Sequence, residues 1–298
     1  MPLKEFKGKL IPEIKELNVF IKKNLLSTSF AGELMSSLKG RGIEFEDYRD
    51  YNVEDDASRI DWRASKRSQR LLVREYKLDV NFNVFFLVDT SESMLFASTP
   101  KLKCEYAAQV VASIFFGILS TGNSIGFGLF NKSLIKMAKP LLGKKQFYIF
   151  TKEITNPHNY GGPKNMAKAI QQTLTLLDKR ALIFIVSDFL LADDEWIEYL
   201  KIIAEKHELI GIMIRDPRDY VLPEDAGQIV LEDPYSTSKI YIDSKQYATK
   251  YEEYSQRQVN IIKSVFDQNK SSLLELNTSV HYLNPLLQFF KRRGGRWK

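Results

Sequence analysis

Three oxygen-bearing side chains follow an apolar run at a spacing that could bind a metal ion. The run over residues 84–88 ends at Asp89, and Ser91 and Ser93 follow at every second position. Carboxylate and hydroxyl oxygens are hard ligands, which suit Mg²⁺ or Mn²⁺ better than Zn²⁺ or Cu²⁺. The same residues could instead cap a helix that follows a strand, because Asp and Ser are favoured at such caps. The spacing alone leaves both interpretations open.

Two further apolar runs also end in charged residues. Residues 181–186 are followed by Ser187 and Asp188, and residues 209–214 are followed by Arg215 and Asp216. Apolar runs of this length suit strands that are buried on both faces, as in a parallel sheet. The carboxyl ends of such strands share one edge of the sheet, where ligands bind. The sequence therefore predicts that Asp89 and Asp188 lie together on one rim.

Periodicity indicates the elements that would position this rim. Strands alternate with helices, which predicts an α/β fold with a doubly wound, mostly parallel sheet flanked by helices. Helices are predicted over residues 12–26, 30–40, 102–119, 144–153, 167–177, 195–206, 245–274 and 286–292. Extended segments are predicted over residues 70–80, 83–89, 124–130, 133–139, 181–186 and 209–214, with a hairpin of 227–231 and 238–242. Residues 42–63 are expected to be irregular.

The composition is that of a globular protein and favours a reducing compartment. The chain has 298 residues, a net charge of +6 and a single cysteine, Cys104, so no disulfide can form within it. Residues 1–10 lack the apolar core of a signal peptide, and no run approaches the ~18–20 apolar residues that span a bilayer. We therefore expect a cytoplasmic protein without a transmembrane segment.

Two basic clusters raise the question of an acidic partner. The first covers residues 59–74 and directly follows an acidic run, so we favour pairing of opposite charges within this segment over nucleic-acid binding. The second is the tail at 289–298, which could contact an acidic protein surface or a membrane interface. A solvated terminus is the simpler interpretation of that tail. We expect no specific nucleic acid partner, and peripheral membrane contact stays open.

The sequence lacks the motifs of several enzyme classes. It contains no Gly-x-Ser-x-Gly elbow, no phosphate-binding P-loop and no histidine pair at zinc spacing. Asp89 stands where an aspartyl nucleophile could lie, but haloacid dehalogenase-type phosphatases have a second Asp two residues on, and this chain has Ser91. We therefore expect a protein that is not an enzyme. The alternatives are a metal-dependent phosphoesterase or other hydrolase, and a basic nucleic-acid-binding protein.

The residues from Asp89 to Ser93 resemble the D-x-S-x-S motif of von Willebrand factor A domains. Ser187 and Asp188 are similar to the strand end that carries another acid of the same site, and the resemblance covers residues 80–220. It implies a Rossmann-type α/β fold with a metal-ion-dependent adhesion site (MIDAS). Asp89, Ser91, Ser93 and Asp188 would hold Mg²⁺ or Mn²⁺, and an open position on the ion would take a carboxylate from a protein partner.

The second loop of the motif departs from the family pattern. Lys164 stands after Gly161 and Gly162, where these domains have a threonine ligand. An ammonium group repels a divalent cation, so Lys164 could itself occupy the cation position and pair with Asp89 and Asp188. A shift of one residue would instead let Asn165 supply an oxygen to a metal. The sequence leaves the choice between an ion and an amine open.

The segment before the first apolar run resembles the signature of the DUF58 family. The residues that carry this resemblance are Arg49, Tyr51, Asp55, Arg59, Asp61, Trp62 and Arg74. With the residues that follow Asp216, the resemblance covers most of 40–245. It implies a protein–protein interaction module, either an adaptor or a chaperone-like factor. Its partners would be a MoxR-type AAA+ ATPase and an unidentified client protein.

These observations predict four parts in the chain. Residues 1–39 form an N-terminal helical segment. Residues 40–80 and the hairpin at 227–242 form a small accessory subdomain that contains β-strands. Residues 81–220 form the von Willebrand A-like domain. Residues 221–298 supply the hairpin and the C-terminal helices.

Overall fold

The structure is a computed structural model of the chain. It describes residues 43–51, 60–78, 82–119, 122–190, 195–223, 226–233 and 238–295, without the side chains of 43–47, 49, 74–78, 294 and 295. The helices predicted over 12–26 and 30–40 lie outside the described residues, as do Asp55 and Arg59 of the DUF58 signature. Within the described ranges, no helix combines the length and the apolar character that crossing a bilayer requires.

Strands and helices alternate along most of the described chain. The strands are β1 (Ile43–Asp50), β2 (Leu72–Leu78), β3 (Asn83–Asp89), β4 (Ser124–Phe130), β5 (Leu134–Leu141), β6 (Ala181–Ser187), β7 (Glu208–Arg215), β8 (Gln228–Glu232), β9 (Lys239–Asp243) and β10 (Ser272–Asn277). The helices are α1 (Trp62–Ser68), α2 (Lys103–Leu119), α3 (Lys145–Ile154), α4 (Met166–Leu176), α5 (Trp196–Lys206), α6 (Ser244–Gln268) and α7 (Leu283–Gly295). Short 3₁₀ turns cover Glu92–Leu95, Pro157–Asn159 and Pro217–Asp219.

Six strands form one central sheet in the order β10-β7-β6-β3-β4-β5. All neighbouring pairs are parallel except β4 and β5, which are antiparallel. The chain runs from β3 outward to β5, then crosses to β6 and continues outward on the other side. This reversal makes the carboxyl ends of β3 and β6 the topological switch point, where ligands bind in open α/β sheets. The predicted doubly wound, mostly parallel α/β fold is confirmed.

Apolar side chains of the central strands point alternately into two cores. On β3, Val84, Phe86 and Val88 face the core formed with α2, α3 and α7. Phe85 and Leu87 face the opposite core, formed with α4, α5 and α6. Burial on both faces explains the unbroken apolar runs. The resulting three-layer arrangement holds the carboxyl ends of the inner strands in fixed positions.

Two smaller antiparallel sheets accompany the central one. The hairpin predicted at 227–242 is confirmed as β8 paired with β9. The prediction of an irregular segment over residues 42–63 is wrong, because β1 lies within it and pairs with β2. The alternation of apolar and acidic residues at Ile43–Tyr48 is the period-two signal of a strand, and it was outweighed by the high charge of the segment. The accessory subdomain that would combine residues 40–80 with the hairpin at 227–242 stays a prediction.

The predicted helix over residues 245–274 is wrong at its carboxyl end. Helix α6 stops at Gln268, and Lys270 takes a left-handed backbone conformation with φ of 53°. The Ser271 amide then donates to the Phe266 carbonyl at 2.9 Å, which closes the helix end. The following residues form β10, which pairs in parallel with β7. The central sheet therefore continues beyond residue 220, and α7 begins at Leu283 rather than 286.

Candidate functional site at the carboxyl rim of the sheet

The acids that end β3 and β6 converge on one lysine. Asp89 is the last residue of β3, and Asp188 follows the last residue of β6. The Lys164 ammonium nitrogen, Nζ, lies 2.8 Å from Asp89 Oδ2 and also pairs with Asp188 Oδ1. All three side chains are fully buried. Of the two arrangements that the sequence left open, the structure has the amine between the carboxylates.

Further oxygens complete the surroundings of the Lys164 ammonium. It donates to the Leu190 carbonyl at 2.9 Å and lies 3.3 Å from Ser187 Oγ. Ser187 Oγ in turn donates to Asp89 Oδ2 at 2.6 Å. An ammonium group has three protons to donate, so these acceptors use its full capacity. The ammonium therefore joins the ends of β3 and β6 to the loop that precedes α4.

A second lysine extends this arrangement to the end of β7. Lys103, the first residue of α2, places Nζ 2.8 Å from Asp188 Oδ2 and 3.0 Å from Asp219 Oδ2. We call the chain Asp89–Lys164–Asp188–Lys103–Asp219 the rim network. Sequence reasoning missed Lys103 and Asp219. The available signal was a lysine at the start of a largely apolar helix. Its pairing could not be predicted, because it depends on how α2 packs against the sheet.

The rim network shifts the acidities of two of its carboxyl groups in opposite directions. Burial by itself raises the pKa of Asp188, but the charges of Lys103 and Lys164 and their hydrogen bonds outweigh it and lower that pKa below its ordinary value. Burial is the dominant influence on Asp219, and it raises the pKa of that carboxyl despite Lys103. Asp188 is therefore held as a carboxylate between two ammonium groups.

The first loop of the predicted metal motif folds over Asp89. The Ser91 amide donates to Asp89 Oδ1 at 2.8 Å, and the hydroxyl oxygens of Ser91 and Ser93 lie 3.2 Å apart. Both serines are buried, and Ser91 precedes the 3₁₀ turn at Glu92–Leu95. The predicted residues Asp89, Ser91, Ser93 and Asp188 thus all lie at the same rim. Their role as metal ligands stays a prediction.

The glycine-containing second loop is tied to the first. The Gly161 amide donates to the Thr90 carbonyl at 2.9 Å, and the Glu92 amide donates to the Gly162 carbonyl at 3.0 Å. Gly161 and Gly162 have φ of 113° and 78°, a region that favours glycine. Asn165 caps α4 by accepting from the Lys168 amide at 2.7 Å. The cap explains why asparagine stands there without invoking a metal ligand.

The end of β7 carries another buried acid and an unusual arginine. Asp216 Oδ2 accepts from the Ser98 amide at 2.7 Å and from the Thr278 hydroxyl at 3.3 Å, so it joins the rim to the end of β10. Arg215 is fully buried, and its guanidinium has no hydrogen-bond partner within the described residues. Burial raises the pKa of Glu275, but the hydrogen bonds from Lys263 and Tyr220 and the charges of Lys263 and Arg215 outweigh that effect and lower the pKa.

The same edge carries an exposed surface above the rim network. Phe96 is 45% exposed, and Lys103 Nζ lies 5.7 Å from the centre of its ring, a cation–π distance. Gly162 and Pro163 are also exposed. A surface pocket of about 570 Å³ lies where β7 and β10 end, lined by Pro217, Tyr220, Val221, Glu275 and Asn277. The rim thus offers apolar and polar groups to another molecule.

Two described residues of the DUF58 signature, Tyr51 and Asp61, make local structural hydrogen bonds. Asp61 caps α1 by accepting from the Arg63 and Ala64 amides at 3.0 and 3.2 Å, and it also accepts from the Tyr48 hydroxyl. The Tyr51 amide donates to the Leu71 carbonyl at 2.8 Å. Trp62 is 66% exposed. Arg49 and Arg74 lie on the paired strands β1 and β2.

The basic residues of the same segment are exposed to solvent. Arg63, Lys66, Arg67 and Arg70 all lie on or just after α1. Much of the acidic run expected to pair with them falls outside the described residues or lacks described side chains. Pairing of these charges within the segment therefore stays a prediction.

The residues present do not fit a divalent cation between Asp89 and Asp188. The Lys164 ammonium fills the position that such an ion would take, at hydrogen-bond distance from both carboxylates. Within the described part of the chain, no three histidine, cysteine, aspartate or glutamate side chains form a group that could hold a metal. We therefore assign no role to Mg²⁺ or Mn²⁺ at this site, and the prediction that such an ion binds stays untested.

The fold and the rim together define a doubly wound α/β protein whose strand-end acids meet at one edge of the sheet. The family model of DUF58, described as "Protein of unknown function DUF58", matches residues 47–260. The chain belongs to the DUF58 family, and the resemblance inferred from the signature residues is confirmed.

Relatives and solved structures with similarity to the chain were also found. "Uncharacterized protein Rv1480" of Mycobacterium tuberculosis is 29% identical over 230 residues, which are 76% of this chain and 72% of that protein. "Uncharacterized protein MAV169" of Mycobacterium avium is 28% identical over 131 residues, 43% of this chain and 76% of that protein.

Among solved structures, BatB from Bacteroides thetaiotaomicron aligns with 13% identity and a TM-score of 0.44, over 72% of this chain and 98% of that chain. A von Willebrand factor type A protein from Catenulispora acidiphila aligns with 11% identity and a TM-score of 0.42, over 75% of this chain and 44% of that chain. Nothing about function follows from likenesses this distant.

Proposed function

We propose that this protein is a non-catalytic module that binds another protein through the carboxyl rim of its central sheet. The observation that carries this proposal is the rim network. It engages the strand-end carboxylates in buried ion pairs, and these pairs hold the loops of the rim in place. Loops that are ordered before binding lose less entropy when a partner docks, so they favour tight association.

The composition of the rim surface supports this role. Phe96 presents a half-exposed aromatic ring directly above Lys103. Aromatic side chains are enriched at protein interfaces and among the residues that contribute most of the binding energy. The pocket between Pro217 and Asn277 lies along the same edge and could accept a side chain of the partner. Phe96 and this pocket are the proposed contact surface.

The expected partner is a MoxR-type AAA+ ATPase, which would supply the nucleotide hydrolysis. This part of the proposal rests on the resemblance to the DUF58 family alone. In this role the protein would act in the cytoplasm as an adaptor or chaperone-like factor for a client of the ATPase. Membership of DUF58 is consistent with this, although the family itself is described as of unknown function.

Binding of a purified MoxR-type ATPase from the same organism to the full chain tests the proposal. Phe96→Ala removes the exposed ring at the rim, and we expect at least about tenfold weaker binding, or about 1.4 kcal/mol. Leu142→Ala is the matched control. Leu142 is 57% exposed and directly follows β5, whose antiparallel direction places it at the opposite edge of the sheet. Absent binding, or equal binding by wild type and Phe96→Ala, would contradict the proposal.

A further inference from the structure

We infer that Lys164 is the permanent cation of the rim, and that it closes a latent divalent-metal site which its removal would open. This inference concerns the ion chemistry of the chain and is independent of any protein partner. The position of Lys164 supports it. The Lys164 ammonium lies between Asp89 and Asp188, at the switch point of the sheet, with its side chain fully buried.

Oxygen atoms of the chain surround the ammonium. Its near neighbours are two carboxylates, the Ser187 hydroxyl and the Leu190 carbonyl. The Ser91 and Ser93 hydroxyls adjoin Asp89 through the Ser91 amide. An all-oxygen set with two carboxylates suits Mg²⁺ or Mn²⁺. The site therefore has ligands for a dication but is filled by an amine of the chain itself.

Electrostatic repulsion from Lys164 would keep a dication out of the site. A dication at this position and the Lys164 ammonium would lie within a few ångströms of each other in a buried, weakly screened region, where like charges repel strongly. Four acceptors surround the ammonium, and its side chain is fully buried. Without Lys164, Asp89 would lose its only described ionic partner at the rim, and two buried carboxylates would favour a cation from solution.

A shorter neutral side chain is the variant that should open the latent site. Lys164→Thr removes the ammonium and provides a hydroxyl on a backbone that the Gly161–Gly162 turn already positions. Lys168→Thr is the matched control, because Lys168 is exposed and lies on the same helix start. The double variant Lys164→Thr with Asp89→Asn removes a proposed ligand.

Calorimetric titration with MnCl₂, together with thermal unfolding, tests the inference. We expect no saturable binding by the wild type or Lys168→Thr. Lys164→Thr should bind a single Mn²⁺, and its melting temperature should rise by about 5 °C or more at ~100-fold excess over Kd. The added Asp89→Asn change should abolish both effects.

Three outcomes would overturn the inference. The first is saturable Mn²⁺ binding by the wild type that Asp89→Asn removes. The second is a folded Lys164→Thr variant without Mn²⁺ binding. The third applies if Lys164→Thr is unfolded without metal, and it is failure of Mn²⁺ to restore the helical circular dichroism of that variant. Recovery of this signal with Mn²⁺ but not with Na⁺ would instead support the inference.

Discussion

The rim network shows how two lysines can fix three strand ends at once. Lys164 joins Asp89 to Asp188, and Lys103 joins Asp188 to Asp219. Burial of charges opposes folding, and each pair offsets that cost only while both partners are present. The network is therefore better understood as a device that fixes the geometry of the rim than as a large source of stability.

Removal of the central ammonium should destabilise the protein. Lys164→Met leaves Asp89 and part of Asp188 buried without their cation, so we predict that the free energy of unfolding falls by about 3–5 kcal/mol. Lys136→Met is the control, because Lys136 is half exposed and lies 4.0 Å from Glu153. It should change that free energy by less than about 0.5 kcal/mol. Urea denaturation measures both, and equal effects would contradict the role given to Lys164.

The opposite pKa shifts of Asp188 and Asp219 predict opposite effects on acid stability. The pKa of Asp188 is lowered from 3.8, so its contribution to stability is complete above about pH 5. Below that pH the unfolded chain takes up a proton that the folded chain resists, and this contribution declines. Asp219 has a raised pKa, so folding favours its protonated form as the pH falls from neutrality toward 3.8.

Denaturation at several pH values measures these contributions. Relative to wild type, Asp188→Asn should make the loss of stability below pH 4 less steep, by up to about 1.4 kcal/mol per pH unit. Asp219→Asn should instead remove a stabilising effect of acid at higher pH. The slopes are compared rather than the absolute stabilities, since both variants also break an ion pair. Parallel pH profiles for wild type and Asp188→Asn would refute the assignment.

At the scale of elements, α6 packs closely against β7 of the central sheet. A Cβ added to Gly211 on β7 would overlap the ring of Phe266 and lie 2.7 Å from a Leu273 methyl carbon. Phe266 also packs edge-to-face against Phe189, with ring centres 5.7 Å apart. Phe189 directly follows Asp188 and has a left-handed φ of 53°. The packing of α6 on β7 therefore reaches the rim through Phe189.

This close approach predicts that Gly211 tolerates no side chain. Gly211→Ala should lower the free energy of unfolding by about 1–3 kcal/mol, because the surrounding core must shift to admit the methyl group. Phe266→Leu removes the atoms that the new methyl group overlaps. The alanine substitution should therefore cost less in the Phe266→Leu background, which a double-mutant cycle measures. An equal cost in both backgrounds would show that Phe266 is not the obstacle.

At the scale of the whole molecule, the central sheet and the convergence of Asp89 with Asp188 could be predicted from the sequence. Unbroken apolar runs fix which strands are buried on both faces, and parallel strands bring their carboxyl ends together. Lys164 was a candidate because it stands where the motif has another residue. Lys103 and Asp219 could not be predicted, since their pairing depends on where α2 and the turn after β7 lie.

Two strands were missed for different physical reasons. Residues 272–277 carry apolar side chains that also suit a helix continuing from α6, and only the left-handed turn at Lys270 separates the two elements. Strand β1 alternates apolar and acidic residues, but its charge suggested a loop. Short segments of this kind take their structure from the strand they pair with, here β7 and β2.

An amine of the chain, and not a metal ion, neutralises the acids at the rim. Anomalous diffraction at the manganese absorption edge, from crystals of the wild-type protein in excess MnCl₂, tests it most directly. We expect continuous density for the Lys164 side chain between Asp89 and Asp188, with no anomalous peak there. An anomalous peak at that position, with Lys164 displaced, would contradict it.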